Sequence, residues 1–285
     1  MHLNDPTPHN GSWFMDREWC RLTTGNEPWE GPNGILLSAS RIKGIPALIT
    51  APWALHSEWQ GEAIDAVKLA LEKQDRALVV LDLPLDASCS WLSPWLVQEG
   101  HTRILNWSSE ESGLKRWPKH RLKQVKKAMT RGIVIESSHD VNEMVQLHQM
   151  ARHRKSIASD EEGLKRLLEH VFKSPHQSSL VARDATGNAI ANAIILHNHG
   201  RSIYAFGGQK RSSNSALATV YLLHRAMEIA AEIGQTSFDF GGSRDSGVDS
   251  FYAEFGAQKV RRQRAILCRK PQSWWLRLLR PDLMA

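Results

Sequence analysis

Cysteine is scarce in this chain. Cys20, Cys89 and Cys268 are the three in 285 residues, odd in number, far apart and in no Cys-x-x-Cys pair, so a disulfide framework fits poorly and reduced thiols are expected. Long apolar runs are missing too: none reaches the roughly 18 residues that a membrane-spanning helix needs. The polar N-terminus, with Asn4, Asp5 and His9, lacks the charged-then-apolar order of a signal peptide, and a cytoplasmic protein is expected. Several catalytic signatures are also absent. No Gly-x-Ser-x-Gly surrounds Ser243, and Gly241, Gly242 and Gly247 match neither a dinucleotide fingerprint nor a P-loop, so serine hydrolase and nucleotide hydrolase designs drop out. His197 and His199 stand two apart, but no Cys or carboxylate cluster joins them, and Asn198-His199-Gly200 reads as a turn; no metal site is expected.

What the chain does have is enough apolar residue for a core, 41% by count, and a length that suggests two domains. Its net charge of +6 is unevenly spread. From Lys115 to Arg131, Lys115, Arg116, Lys119, Arg121, Lys123, Lys126, Lys127 and Arg131 occur with no acid, while Leu122, Val125 and Met129 form a narrow apolar stripe. Such a helix docks by one side and leaves a cationic surface that can meet the phosphates of a tRNA or an anionic membrane; its plainer reading is a solvated face.

Two neighbouring stretches carry the most information. Ser202 to Phe206 reads as a strand that ends at Gly207 and Gly208, with Gln209 to Ser213 as a polar, basic loop. A long helix follows, capped at Ser213 or Asn214, with Leu217, Val220, Tyr221, His224 and Met227 on one face and Gly234 as its stop. Free N–H groups at such a helix start, beside Lys210 and Arg211, suit an anion. Further on, Phe238 and Phe240 share one strand face and Asp239 the other. Gly241 and Gly242 let a ligand approach the backbone, Ser243, Arg244 and Asp245 follow, and Phe251, Tyr252 and Phe255 fall at helical spacing before Gly256. Core aromatics on a strand-turn-helix are the plain alternative.

This order of strand, basic loop, helix, Phe-Asp-Phe-Gly-Gly-Ser and Phe-x-x-x-Phe-Gly resembles the acyltransferase half of FemABX-like proteins of the GNAT superfamily. The likeness includes the basic segment from Trp117 to Glu136 and spans roughly residues 110 to 270. It implies an α/β fold with a GNAT-like mixed sheet flanked by helices, in two GNAT-like halves of which the first is degenerate. It also implies a transferase moving an acyl group from acyl-coenzyme A, or an aminoacyl group from aminoacyl-tRNA, onto a small-molecule or peptide amine, with no tightly bound cofactor. Two positions depart from the family pattern. The pyrophosphate loop has its nearest match in Arg211-Ser-Ser-Asn214-Ser-Ala216, where Asn replaces the first Gly, and Tyr252 stands where members often carry Lys. A GNAT-like module that binds without catalysing is the alternative function.

The expected domains are 1–109 and 110–285. In the first, Ile35–Leu37, Ala47–Thr50 and Ala77–Leu83 read as strands, with a hairpin turn at Arg41–Gly44 and a helix from Glu62 to Lys73. Seven of the eleven tryptophans lie in the first hundred residues, and Trp53, after a strand end, is the candidate to line an acceptor cleft. Acyl transfer needs aligned substrates, a polarised carbonyl and a route for the amine proton. Tyr204, Asp239 and Arg244 are accordingly the catalytic candidates, with Asp239 removing a proton or orienting the amine. Gly207, Gly208, Gln209, Arg211 and Asn214 are the donor-binding candidates, and Trp53, Gly241, Gly242, Ser243 and Tyr252 those for the acceptor. The segment Trp274–Leu279, apolar with Arg277, can touch a membrane or dock on the second half.

Overall fold

The computed structural model describes residues 12–58, 64–85, 87, 89–91, 93–107, 117–154, 160–198, 200–242 and 245–269. In chain order its first elements are α1 (Arg17–Thr24), β1 (Trp29–Glu30), β2 (Leu36–Ile42), β3 (Ile45–Ile49), α2 (Ile64–Glu72), β4 (Leu78–Asp82) and β5 (Trp95–Asn106). Next come α3 (Lys119–Thr130), β6 (Val134–Ser137), α4 (Val141–His153), α5 (Glu161–Val171), β7 (Gln177–Arg183) and β8 (Ala189–Asn198). The chain closes with β9 (Arg201–Gln209), α6 (Ser215–Glu232), β10 (Ser237–Asp239), α7 (Ser246–Ala253) and β11 (Gln258–Cys268). The α/β class and mixed sheet expected from the sequence are what the chain forms. Among the described residues no helix is long and apolar enough to cross a membrane.

The chain divides into two compact units, whose described parts are 12–102 with 260–269, and 103–259. This partition differs from a division at 109/110, because most of β11 belongs with the N-terminal residues. The reason is pairing: Arg264 to Cys268 run antiparallel to Asp82 to Leu78. The N-terminal unit has strand order β1-β2-β3-β4-β11-β5. Its β2–β3 hairpin turns on Lys43 and Gly44, both at positive φ, as a tight hairpin requires. Parallel β3 and β4 are joined through α2, and Trp13 and Trp19 are fully buried.

The unit 103–259 has strand order β5-β10-β9-β8-β7-β6. β8 is buried along its whole length, which its Ala-Ile-Ala-Asn-Ala-Ile-Ile-Leu sequence permits. Helices α4, α5 and α7 each begin on an aspartate, Asp140, Asp160 and Asp245, that accepts from first-turn N–H groups. Helix α6 packs Ala218, Leu222, Ala226 and Ala230, a four-residue repeat with three alanines, into the core. It stops where Gly234 takes φ 78. Helix α3 lies against α6 and turns Val125 and Leu122 of the expected stripe to the core, but not Met129. Its buried residues are Arg121, Val125 and Ala128, while Met129 is 50% exposed. The rotation follows from what Arg121 meets on α7.

Candidate acyl-transfer site

The parallel ladder between β9 and β10 is short. It pairs Ser237 with Arg201, Phe238 with Ser202 and Asp239 with Ile203, and stops there. Beyond it Phe240 N–H bonds to Arg103 O on β5 at 2.9 Å, whereas β9 continues with β8 to Gln209. The two strands therefore part after Ile203 and Asp239. Lys210 N–H bonds to Ile190 O at 2.9 Å, and the register from Gly207 to Gln209 is unbroken. Alternation along an antiparallel ladder then turns the N–H and C=O groups of Gly207 and Gln209 away from β8, into the opening.

Each glycine of the expected donor segment answers a different neighbour. The β8–β9 register pairs Ile194 with Phe206 but Ile195 with Tyr204, leaving Ala205 as a bulge. This puts Tyr204 on the same face as Gly207, and a Cβ at Gly207 would sit 1.8 Å from the Tyr204 hydroxyl oxygen. On the other face α4 lies directly on the strand: a Cβ at Gly208 would meet Leu147 O at 2.1 Å and His148 N at 2.6 Å. Backbone cannot swing aside as a side chain can. Gly208→Ala is expected to destabilise the protein by about 2–4 kcal/mol, read as a lowered urea midpoint.

Side chains of α4 reach the parted edge. His148 Nδ1 lies 3.2 Å from Gly207 O, and since a carbonyl only accepts, Nδ1 carries the proton. Arg154 Nη1 donates to Gln209 O at 2.9 Å. Burial pushes the His148 imidazole down to about 4, and does the same at His197, whose ring lies 2.8 Å from Ser178 Oγ and 2.8 Å from Ser202 Oγ. Both rings are thus neutral when folded, and the unfolded chain binds more protons between about pH 4 and 6.5. Stability is therefore whole above pH 6.5 and is lost as pH falls through that window, by up to about 3 kcal/mol per histidine. Urea unfolding at pH 7 and 4.5 measures it, and His148→Gln is expected to flatten the dependence.

Across the opening, Tyr204, Asp239 and Tyr252 come together. The rings of Tyr204 and Tyr252 lie 6.5 Å apart at 84°, and Tyr252 lies 5.2 Å from Phe240. Asp239 has no exposed surface, and its Oδ1 accepts from Gly241 N–H at 2.8 Å, with Gly241 at φ 77. Burial pushes the Tyr204 phenol up to about 12. It raises Tyr252 as well, reinforced by Tyr204 and by the charge of Asp239. Both phenols stay protonated at neutral pH.

The N-terminus of α6 forms the second part of the site. Asn214 is its N-cap residue, but no side chain caps the helix; the Asn214 Oδ1 instead accepts from Arg131 Nη1 at 2.8 Å. Ser215 ties the loop together, accepting from Ser212 N–H at 3.0 Å and donating to Lys210 O. Gln209 Oε1 accepts from Thr219 Oγ1 at 2.6 Å. Lys210 and Arg211 of the loop, Arg131 after α3 and Arg154 after α4 thus gather at one uncapped helix start, where anions are favoured. Arg131 is legible only as a cation of the basic segment and Arg154 not at all, because their meeting at the start of α6 depends on how α3 and α4 pack.

The remaining candidates divide. Gly242 is exposed; Ser243 and Arg244, like Lys115, Arg116 and Trp274–Leu279, lie outside the described residues. Trp53 belongs to the N-terminal unit, in the loop after β3, at φ 62, while Trp19 Nε1 donates to Pro52 O beside it.

Residues 118–255 match the family model described as an acetyltransferase (GNAT) domain. No curated protein sequence matches the chain. Among solved structures, FemX is 12% identical, with TM-score 0.65 over 97% of this chain and 98% of that one. L-PGS from Bacillus licheniformis is 13% identical, with TM-score 0.63 over 94% and 91%. The C-terminal domain of a putative lysylphosphatidylglycerol synthetase from Agrobacterium fabrum is 11% identical, with TM-score 0.58 over 90% and 88%. The parted parallel strands and the helix that starts beside them lie within 118–255, the residues that match the GNAT domain model, and the chain has a FemX-like fold.

Proposed function

We propose that the protein is an aminoacyltransferase that moves an aminoacyl group from its tRNA ester onto an amine. The observation that carries this reading is the cationic face of α3. Lys119, Lys123, Lys126 and Lys127 are exposed on it with no acid among them, and Arg131 joins it to the uncapped start of α6. A helix of this length runs about 18 Å, which suits a line of phosphates better than a single pyrophosphate.

Two features of the opening support an ester donor over acyl-coenzyme A, the rival that the family description favours. The amide-bearing arm of coenzyme A, laid along the free edge of β9, would have to share the carbonyls of Gly207 and Gln209, each of which already accepts one bond, from His148 and Arg154. The raised phenol of Tyr252 also suits the leaving group. An alcohol is a weaker acid than a phenol and its alkoxide must be protonated as it departs, whereas a thiol, with pKa about 8.5, leaves as thiolate unaided.

In this reading the amine nitrogen attacks the ester carbonyl and the N–C bond forms, while Gly207 N–H, facing the opening, stabilises the oxyanion. The C–O bond to the ribose then breaks and Tyr252 gives its proton to the departing oxygen. The proton lost by the amine passes to water, which restores the phenol. Asp239, fully buried, acts here by fixing Gly241 and holding Tyr252 protonated rather than by meeting the amine. Arg244, two residues beyond Gly242 in the sequence, is assigned to clamp an anionic acceptor group.

Thermal protection tests the choice of donor. Uncharged tRNA is expected to raise Tm at low salt and to lose that effect as salt increases, and acetyl-coenzyme A to leave Tm unchanged. Protection by the thioester alone overturns the tRNA reading.

A further inference from the structure

Arg121 is the cation of α3 that does not face solvent. It is 4% exposed, and burial lowers its guanidinium from the usual value. The guanidinium carbon lies 4.8 Å from the ring centre of Phe251 and 4.6 Å from that of Phe255. Nη2 donates to Glu254 Oε2 at 2.5 Å and Nη1 to Gln124 Oε1 at 2.7 Å. Residues 251, 254 and 255 are one helical turn of α7 and its end, spaced three and four apart on one face. Tyr252 sits in the same turn, its ring 5.8 Å from that of Phe251.

Helix α7 needs such a hold. It is eight residues long with no fully buried residue, and only Phe251 and Tyr252 pack part-way into the core, so packing alone holds it by one edge. Phe255, just beyond it, is buried and stacks on Phe240 at 5.4 Å. Arg103 of β5 grips Asp249 with two bonds, Nε to Oδ1 at 2.8 Å and Nη2 to Oδ2 at 2.7 Å. Arg121 supplies the corresponding grip at the end that carries Tyr252.

We propose that Arg121 is a positioning residue for Tyr252. One side of α3 presents lysines to the donor, and the other, through a single guanidinium, sets the helix that carries the proton donor. Donor docking and proton delivery are thereby placed on one rigid piece. The catalytic half of this proposal rests on the reading of Tyr252 given above. A planar guanidinium can lie against two rings and still pair with a carboxylate, and an ammonium cannot, so lysine is not a substitute.

The test uses the full chain with tyrosine labelled by 13C at Cζ. The three tyrosines give three resonances, and Tyr252→Phe identifies the one that matters. In Arg121→Lys and Arg121→Met the Tyr252 resonance is expected to move, and kcat to fall at least tenfold while KM for charged tRNA changes less than twofold. Should the arginine variants fail to fold, Glu254→Gln carries the test: it removes a carboxylate that is 54% exposed and is expected to shift the same resonance in the same direction. A Tyr252 resonance at its wild-type position in a folded variant overturns the proposal, as does a raised KM with unchanged kcat. Normal turnover by Tyr252→Phe overturns the proton-donor reading itself, an outcome separable from the resonance result.

Discussion

Tyr252→Phe is expected to lower kcat for aminoacyl transfer by about 10²- to 10⁴-fold, the usual effect of losing a general acid, with little change in KM for charged tRNA. The change removes one oxygen and keeps the ring that packs on Phe240 and Phe251, so folding is not at stake. The physical reason for a large effect is the leaving group. An alkoxide expelled without a proton is high in energy, and a phenol kept protonated by burial and by Asp239 stands beside Tyr204 at the opening between β9 and β10. The same variant should respond to the donor chemistry: an activated ester with an acidic alcohol needs no proton and is expected to recover most of the rate. Steady-state kinetics with both donors measures this, and equal losses with the two would show that the hydroxyl does something other than protonate the leaving oxygen.

Neutralising α3 is the second large effect. Lys123→Gln, Lys126→Gln and Lys127→Gln together are expected to weaken tRNA binding by about 100-fold near 0.1 M salt and to reduce the slope of log K against log salt by about 2 to 3. All three side chains are exposed, so a change in stability beyond about 0.5 kcal/mol is not expected. Binding isotherms by fluorescence anisotropy across a salt series separate the two quantities. A weakened affinity with an unchanged slope would mean that these lysines do not meet phosphates.

The sequence makes one half of the site legible because its signals are local. Strand alternation buries Asp239 between Phe238 and Phe240, the Gly-Gly pair at 241–242 follows the end of β10, and helical spacing finds Tyr252 and Phe255, whereas β9 runs on through Gly207 and Gly208 to Gln209. Why the glycines are needed is not local. Gly207 answers a ring brought over it by a bulge at Ala205, and Gly208 answers the backbone of α4, some sixty residues earlier. One edge of the α3 face differs from the expected stripe for the same reason. Counting apolar residues selects Leu122, Val125 and Met129, but a guanidinium with two phenylalanines and a carboxylate to meet turns Arg121 inward and leaves Met129 in solvent. Asn214, read as a flaw in a pyrophosphate loop, serves instead as the acceptor that draws Arg131 to the start of α6. The placement of β11 with the N-terminal unit likewise depends on a strand pairing nearly two hundred residues apart.

Label transfer tests the account most directly. Wild-type protein is incubated with tRNA charged with labelled amino acids, or with labelled acetyl-coenzyme A, in the presence of a mixed pool of small amines and peptides, and base-stable amide product is counted. The account predicts amide product from the charged tRNA and none above background from the thioester, with the tRNA-derived product lost in Tyr252→Phe. Product from the thioester alone, or no covalent product from either donor while tRNA remains bound, would contradict it.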